Sequence, residues 1–448
     1  MKKEWLVKTL ALGIVVLFVG AGVVSAFNID NKLETLNNGN WLYVGGSGEG
    51  NYSKIQDAID NASDGDTVFV YDDISPYYEN IIIEKPINLV GEEKNTTIID
   101  GNGVENTVFI TDNKISISKF TIRNSNNSYR YAGIGITHKQ YGGNENTITN
   151  NILEGNGNGI YTTGHRNIIH NNIVTSNTVQ GIFIHGGDEN AVFDNNVTNN
   201  GINGVIIAGG SGNNITKNNI INNLNGIRIE NSENTTVNLN TIFDNEYHGI
   251  DQGRSCNSTF CDNYVVYNKK GYNFWLHYSC NNNIFRNYVA QTNFSIKERE
   301  LLISILISDK SDNNTISYNT ITNDYFGICI GIESYNNTCY MNNITNCING
   351  INIWTVKRYK STLCLLKNKN PNLIIKNNFI DNKIHGLSKY WNFSIFGSKW
   401  DGNFWGRQRI FPKIILGLQM IGNFFGIPFR FDVDWHPAKQ PYDIPIGG

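Results

Sequence analysis

Asn218-Asn219-Ile220-Ile221-Asn222-Asn223-Leu224-Asn225-Gly226-Ile227-Arg228-Ile229-Glu230 carries the pattern that decides the fold. It opens on an Asn-x-aliphatic step and closes on a Gly followed by alternating apolar residues. Such alternation is strand periodicity, with successive side chains on opposite faces. Outward from here, the Gly step recurs at Gly159-Ile160, Gly181-Ile182, Gly204-Val205, Gly249-Ile250 and Gly271-Tyr272. The intervals along the whole run are 22, 23, 22, 23 and 22 residues. It resumes at Gly327-Ile328 and Gly350-Ile351. The Asn step keeps time with it at Asn150-Asn151-Ile152, Asn171-Asn172-Ile173 and Asn195-Asn196-Val197, then through Asn240, Asn263, Asn287, Asn319 and Asn342 to Asn377. Two lattices in step define one structural unit per repeat.

Short strands broken by Gly and Asn turns, three to a repeat, describe an all-β chain. The expected fold is a single-stranded right-handed parallel β-helix, a solenoid of about 22–24 residues per coil. Asn suits neither helices nor ordinary strands, but identical Asn residues on stacked coils form amide ladders at about 4.8 Å. A leucine-rich repeat would need Leu at fixed positions, and a calcium-binding β-roll would need Gly-Gly-x-Gly-x-Asp nonapeptides; the sequence has neither.

Open end coils would expose unpaired strand edges, so caps are expected. Tyr52 to Ile59 reads as an amphipathic helix, with Ser53 as N-cap and Gln56 completing a capping box. Residues 41–394 are assigned to the β-helix, with the N-terminal cap at about 41–66 and insertions at about 291–312 and 354–370. Within the first insertion, Lys297 to Ile307 reads as a helix on the flank. Residues 395–448 lose the repeat and form an irregular, aromatic C-terminal cap, in which the apolar run Ile414 to Ile427 suits a buried cap better than a membrane span.

Lys2, Lys3 and Lys8 flank an apolar run from Thr9 to Val24, and Val24-Ser25-Ala26 offers a small-residue cleavage site. Residues 1–26 therefore read as a signal peptide, implying an extracellular or cell-surface protein. A membrane enters only if that leader is retained as an anchor. The formal charge is −3, with 17% charged residues and no basic patch, so nucleic acid is not an expected partner. A monomer is expected. Seven Cys include no C-x-x-C pair. Cys256 and Cys280 lie one repeat apart, within disulfide reach on stacked coils, although buried thiols would fill a core equally well.

Several of these stretches resemble a known family. Tyr52-Ser53-Lys54-Ile55-Gln56-Asp57-Ala58-Ile59, Gly65-Asp66-Thr67-Val68, Tyr78-Glu79-Asn80-Ile81 and Thr97-Ile98-Ile99-Asp100-Gly101 resemble the first coils of pectin-lyase-like β-helix proteins. The Gly-Ile and Asn-x-Ile repeats are similar to the NosD type, also described as a carbohydrate-binding and sugar-hydrolysis domain. Trp400-Asp401-Gly402-Asn403-Phe404-Trp405-Gly406 and Pro441-Tyr442-Asp443-Ile444-Pro445 resemble the tails of secreted archaeal NosD-like proteins. The likeness spans about residues 41–448. It implies fold strongly and function weakly, because one fold hosts many functions. The family takes its name from a periplasmic accessory protein of copper-site maturation. Copper delivery favours Met, Cys and His clusters; with three Met here, and Met341 alone in the repeats, copper is not expected.

Secreted β-helices act along outward strand ladders. Two and four residues past each Gly lie Tyr161 and Thr163, Phe183 and His185, Ile206 and Ala208, Arg228 and Glu230, Asp251 and Gly253, and Asn273 and Trp275. Tyr161, Phe183, His185 and Trp275 are the expected substrate-binding residues, since flat apolar rings stack on sugars. Arg228 can fork onto an acidic sugar. Glu230 and Asp251, one coil apart, suit paired-carboxylate hydrolysis. Lyase chemistry would pair Arg228 with His248 or His185 as base. Alternatively, Arg228 neutralises both acids and the face is merely solvated. No cofactor is expected, calcium being the one cation that a turn such as His185-Gly186-Gly187-Asp188-Glu189 could take. The expected function is binding of polysaccharide or cell-envelope glycan. The alternatives are a polysaccharide lyase or glycoside hydrolase using Arg228, Glu230 and Asp251, a structural surface protein without ligand, or a copper-site accessory protein.

Overall fold

The computed structural model describes residues 39–137, 143–291, 302–331, 333–355, 370–391, 398–409, 411–421, 424–425 and 430–444. The leader at 1–26, residues 292–301 of the first insertion and most of the second lie outside them. The described residues form a right-handed parallel β-helix, with one α-helix among them, Ile55–Asn61. Each coil contributes a strand to each of three faces. Asn158–Thr162, Ile168–His170 and Ile173–Thr175 are one such set and define faces A, B and C. The next coil repeats them at Ile182–His185, Ala191–Phe193 and Asn196–Thr198, parallel and in register.

The alternating apolar residues of the sequence become columns running along the axis. Ile160, Ile182, Val205, Ile227 and Ile250 stack inside face A. Ile169, Val192, Ile215, Val237 and Phe260 do so inside face B. Val174, Val197, Ile220, Ile242 and Val265 complete the core from face C. All are fully buried. β-branched side chains suit the pleated surface, and each buried one contributes about 1.5–3 kcal/mol.

Between faces B and C runs the Asn ladder. Asn218 donates its backbone N–H (2.9 Å) and its Nδ2–H (3.0 Å) to Asn240 Oδ1, and Asn240 does the same to Asn263 (3.0 and 3.0 Å). The chain passes from Asn151 through Asn172, Asn195, Asn218, Asn240, Asn263, Asn287, Asn319, Asn342 and Asn377 to Asn403, always donating toward the C-terminal end. Spare Nδ2 protons satisfy carbonyls left by the turn, as Asn218 does for Val192 (2.8 Å). A second ladder, Asn156, Asn177, Asn200, Asn223, Asn245 and Asn268, runs between faces C and A.

Each ladder Asn follows a residue in the left-handed region, among them Asn171 (φ 55°), Lys217 (φ 56°) and Leu239 (φ 56°). That conformation costs a side chain with a Cβ about 1–2 kcal/mol, partly offset by the extra chain entropy that Gly loses on folding. Leu239 is 44% exposed, so its side chain adds little packing. Leu239→Gly is therefore expected to raise stability by up to about 1 kcal/mol in urea unfolding; a loss would show that the Leu side chain outweighs the strain.

The two ends are closed differently. The helix Ile55–Asn61 buries Ile55, Ala58 and Ile59 against the first strands, as the amphipathic pattern implied. Its cap is not the expected Ser53–Gln56 box. Lys54 occupies the N-cap position without a side-chain bond. The Glu79 carboxylate, brought in by the following coil, instead accepts from the N–H groups of Ile55 (2.9 Å) and Gln56 (3.0 Å). A full negative charge on two first-turn N–H groups outcompetes a local hydroxyl, while Gln56 turns to bond Ile82.

At the far end, Lys413–Ile421 pairs parallel with Ile384–Trp391 and antiparallel with Arg430–Asp434, which in turn meets Lys399–Asp401. Faces A and B are thereby joined into one 31-stranded sheet among the described residues, beside the 13-stranded face C. Buried Asp434 receives the last ladder residue, accepting from Asn403 N (2.9 Å) and Nδ2 (3.2 Å) and from Trp405 Nε1 (3.0 Å).

Ile303–Ser308 is a strand of face A, in register with Tyr272–His277, where a flanking helix was expected for 297–307. Its apolar run is recruited by the open edge of the preceding coil; 292–301 lie outside the described residues. Cys256 and Cys280 form a disulfide across adjacent coils, with Cα atoms 4.7 Å apart. Cys261, Cys329, Cys339 and Cys347 are buried thiols. No helix among the described residues is long and apolar enough to cross a membrane.

Candidate functional site

The seven side chains singled out from the sequence fall on two adjacent outward columns of face A. Tyr161, Phe183, Ile206, Arg228, Asp251 and Trp275 are paired in that order, one per coil. Beside them run His185, Ala208, Glu230, Gly253 and His277. Five steps of the inter-strand spacing make this row about 24 Å long. Three groups occupy it.

The first is aromatic. Tyr161 and Phe183 meet edge to face, with ring centroids 5.2 Å apart and planes at 81°. The His185 ring lies nearly parallel to Phe183 at 5.4 Å, and its Nδ1 is 3.1 Å from the Tyr161 hydroxyl. Tyr161 and Phe183 are half-buried and His185 is exposed, so rings and polar tips both reach solvent. Partial burial pushes the Tyr161 phenol up, which keeps it a neutral donor at neutral pH.

The second is charged. The Arg228 guanidinium lies 3.0 Å from Glu230 Oε2 and 3.7 Å from Asp251 Oδ2. Arg254, which the Gly spacing did not single out, reaches Glu230 Oε1 at 3.2 Å. Two carboxylates and two guanidiniums thus share a patch two coils wide. Both acids already hold cationic partners, and the Asp251 side chain is only 5% exposed. Hydrolysis by a carboxylate pair needs two acids free to face the substrate, and both here are engaged by guanidinium groups.

The third is a histidine–tryptophan cluster. His277 stacks on Trp275 (4.4 Å, 28°) and places Nε2 3.2 Å from Asp251 Oδ1. His248 leans on the other neighbours of Trp275, at 5.1 Å from its ring and 5.3 Å from Tyr272. Its Nδ1 accepts the Tyr272 N–H at 3.0 Å. Burial, with Arg228 and His277 adding to it against the pull of Asp251, pushes the His248 pKa down. The ring is therefore neutral with its proton on Nε2, a donor rather than the general base the lyase reading asked of it. Trp275 gives its indole N–H to Ser308 (3.0 Å) and a face to His277, so it braces the site more than it offers an open platform.

One residue of the expected outward row is misplaced. Asn273 is fully buried and donates to Ala290 O, because the coil has gained residues and Phe274, not Tyr272, stacks on Ile250. Counting from Gly271 slips the register by two. The alternation of apolar Phe274 and Leu276 is the signal that would have fixed it, and would have revealed His277. Arg254 sits in the turn beyond the strand, at φ 50°, where column counting does not reach.

Among the described residues no three His, Cys, Asp or Glu side chains converge as a metal site requires. The turn at His185–Glu189 spends Asp188 on His165 (3.2 Å) and on the Ser211 N–H (2.8 Å). The free thiols are buried singly, and burial pushes the Cys261, Cys339 and Cys347 thiols up to about 12, far from the thiolates that bind copper.

Residues 59–247 and 194–301 match the family described as periplasmic copper-binding protein (NosD). The fold is similar to that of the Dettilon tailspike protein, at 17% identity and a TM-score of 0.56, covering 71% of this chain and 68% of that one. A more distant likeness joins it to the mannuronan C-5 epimerase AlgE4 A-module of Azotobacter vinelandii, at 12% identity and a TM-score of 0.48, covering 66% and 89%. No curated protein matches the chain.

Proposed function

Since the chain belongs to the NosD family, we propose that it is an exported β-helix protein that binds polysaccharide or cell-envelope glycan along face A. The described donors do not fit copper, so no metal enters the reading. The observation that carries it is the outward row from Tyr161 to Trp275, aromatic at both ends with the Arg228–Glu230–Asp251 patch between them. Rings such as Tyr161 and Phe183 give a sugar an apolar surface and a hydroxyl at low entropic cost. Arg228 and Arg254 each keep N–H groups beyond those bonded to Glu230, and a fork of donors matches hydroxyls or a uronate carboxylate. The parallel ladder holds these groups at fixed spacing, so little freedom is lost on binding.

On a glycan array that includes acidic and surface-layer sugars, the mature chain is expected to retain a defined set of glycans. The Tyr161→Ala/Phe183→Ala pair should weaken that retention at least tenfold, about 1.4 kcal/mol, with the fold unchanged because both rings are on the surface. Silence across the array would leave a structural rod. Retention unaffected by the pair would move the ligand off face A.

A further inference from the structure

A cleft of about 500 Å³ opens at the N-terminal end of face C, away from the row just described. It is lined by Tyr78, Asp100, Asn102, Asn124, Asn127 and the turn glycines Gly103 and Gly155. Its volume lies within the range of small-ligand sites. Three successive coils build it: Tyr78, Asp100 and Arg123 are cross-strand neighbours in the outward column of face C. Asn102 (φ 55°) and Asn124 (φ 54°) turn the chain out of the Asp100 and Arg123 strands.

The chemistry of the walls narrows the ligand. Tyr78 is 62% exposed and gives the cleft an aromatic face. Asp100 is nearly buried and fully engaged: Oδ2 accepts from Arg123 Nε (2.8 Å) and Asn124 Nδ2 (2.8 Å), and Oδ1 from the Asn102 N–H (3.2 Å). Burial alone would raise its pKa; these bonds outweigh it and hold the carboxyl below the usual range. The carboxylate is therefore a fixed anion whose lone pairs are largely taken and whose charge Arg123 already matches, which leaves neither a cation nor an acidic sugar an unpaired charge to meet. What stays available is amide. Asn124 has its Nδ2 on Asp100, leaving Oδ1 to accept; Asn127 accepts from Thr178 through Oδ1 (3.2 Å), leaving Nδ2 to donate.

From the aromatic face, the paired amide acceptor and donor, and a single anion already matched by the Arg123 guanidinium, we infer that this cleft binds the ring of a neutral sugar. A pyranose presents an apolar face to Tyr78 and vicinal hydroxyls that both give and take hydrogen bonds. The site stands apart from face A and does not rest on the reading of that face.

Calorimetric titration of the mature chain with cellohexaose, mannohexaose and maltohexaose tests it, with hexagalacturonate as the acidic probe. At least one neutral hexasaccharide should bind. Tyr78→Ala and Asn124→Gly should each weaken it tenfold or more, the second keeping a residue that tolerates the left-handed turn. Binding should persist in the Tyr161→Ala/Phe183→Ala pair, and hexagalacturonate should bind the cleft at least tenfold more weakly. The inference is overturned if none of the three neutral probes binds, if both cleft variants bind as the parent does, or if only the face A pair abolishes binding. Loss in the cleft variants with array retention on face A intact would separate the two sites cleanly.

Discussion

Asn240→Ala is expected to destabilise the stack by about 4 kcal/mol. The Asn240 amide holds together three coils: Oδ1 accepts both Asn218 donors, and Nδ2 donates to Ile215 O (2.9 Å), Asn238 O (3.0 Å) and Asn263 Oδ1 (3.0 Å). Asn240 is 1% exposed, so water cannot replace what alanine removes. Each buried group left without a partner costs about 1–3 kcal/mol and each lost bond about 1; the Asn218 N–H loses its partner outright, and the Ile215 and Asn238 carbonyls and Asn263 Oδ1 each lose one bond. Asn240→Asp should do no better, because it turns the donor into an anion facing two carbonyls and the Asn263 oxygen. Asn219→Ala, on the outer side of the neighbouring strand with one long bond to Asn196 (3.3 Å), should cost less than about 1 kcal/mol. Urea unfolding followed by circular dichroism distinguishes them. Similar losses for Asn240→Ala and Asn219→Ala would mean that the ladder is decoration on a core that is sufficient by itself. Because stability in a solenoid sums over neighbouring coils, the loss should appear as early opening of the middle of the stack.

The second large effect is pH-dependent and has the opposite sign. Asp324 follows left-handed Asn323 as Asn223 follows Asn222, and so occupies a position that the second ladder gives to Asn. It is 1% exposed, and among the described residues its carboxyl accepts from Ser304 Oγ (2.6 Å) and the Tyr325 N–H (2.7 Å). Burial raises its pKa to about 7, against the lowering effect of those two bonds. The unfolded chain ionises near 3.8, so the folded state holds the proton more tightly. Stability from this group is complete below pH 4 and is lost as pH rises through 7. At about 1.4 kcal/mol per pKa unit the loss approaches about 4 kcal/mol. Asp324→Asn keeps an acceptor for Tyr325, lets the Ser304 hydroxyl accept instead of donate, and has nothing to ionise. The variant should match the parent near pH 4 and exceed it by a few kcal/mol at pH 8. Parallel pH profiles for the two proteins would place the ionised carboxylate in a better-solvated setting than its burial implies.

The coil, its period and the Asn ladders were legible because each turn imposes the same demand. A residue that can enter the left-handed region must precede a side chain that can donate and accept along the axis, and few residues other than Asn meet the second requirement. The Cys256–Cys280 bridge followed from the same spacing, as one of two open readings. The outward row from Tyr161 to Asp251 was legible while coil length held at 22 or 23 residues, and the count failed at Asn273, where the coil lengthened. Glu79 capping the helix was invisible because the partner arrives from the next coil. The cleft at Tyr78 was missed for a related reason. Its walls come from turns on three coils, and the column count followed only the Gly-Ile strand.

The ladder that ends on Asp434 has an electrical consequence. Parallel strands contribute little net dipole, since their peptide groups alternate, whereas an α-helix accumulates charge at its ends because its amides align. The Asn side chains share one sense: from Asn151 to Asn403 each Oδ1 accepts from the preceding coil and one Nδ2 proton goes to the next, while the amide also donates back to a carbonyl such as Val192 O. The rod is thus polarised along its length, positive where the C-terminal strands close it. The Asp434 carboxylate sits at that pole as an anion sits at a helix N-terminus. The two tips of an otherwise repetitive molecule are inequivalent to any charged neighbour, and the asymmetry grows with every coil that keeps its Asn.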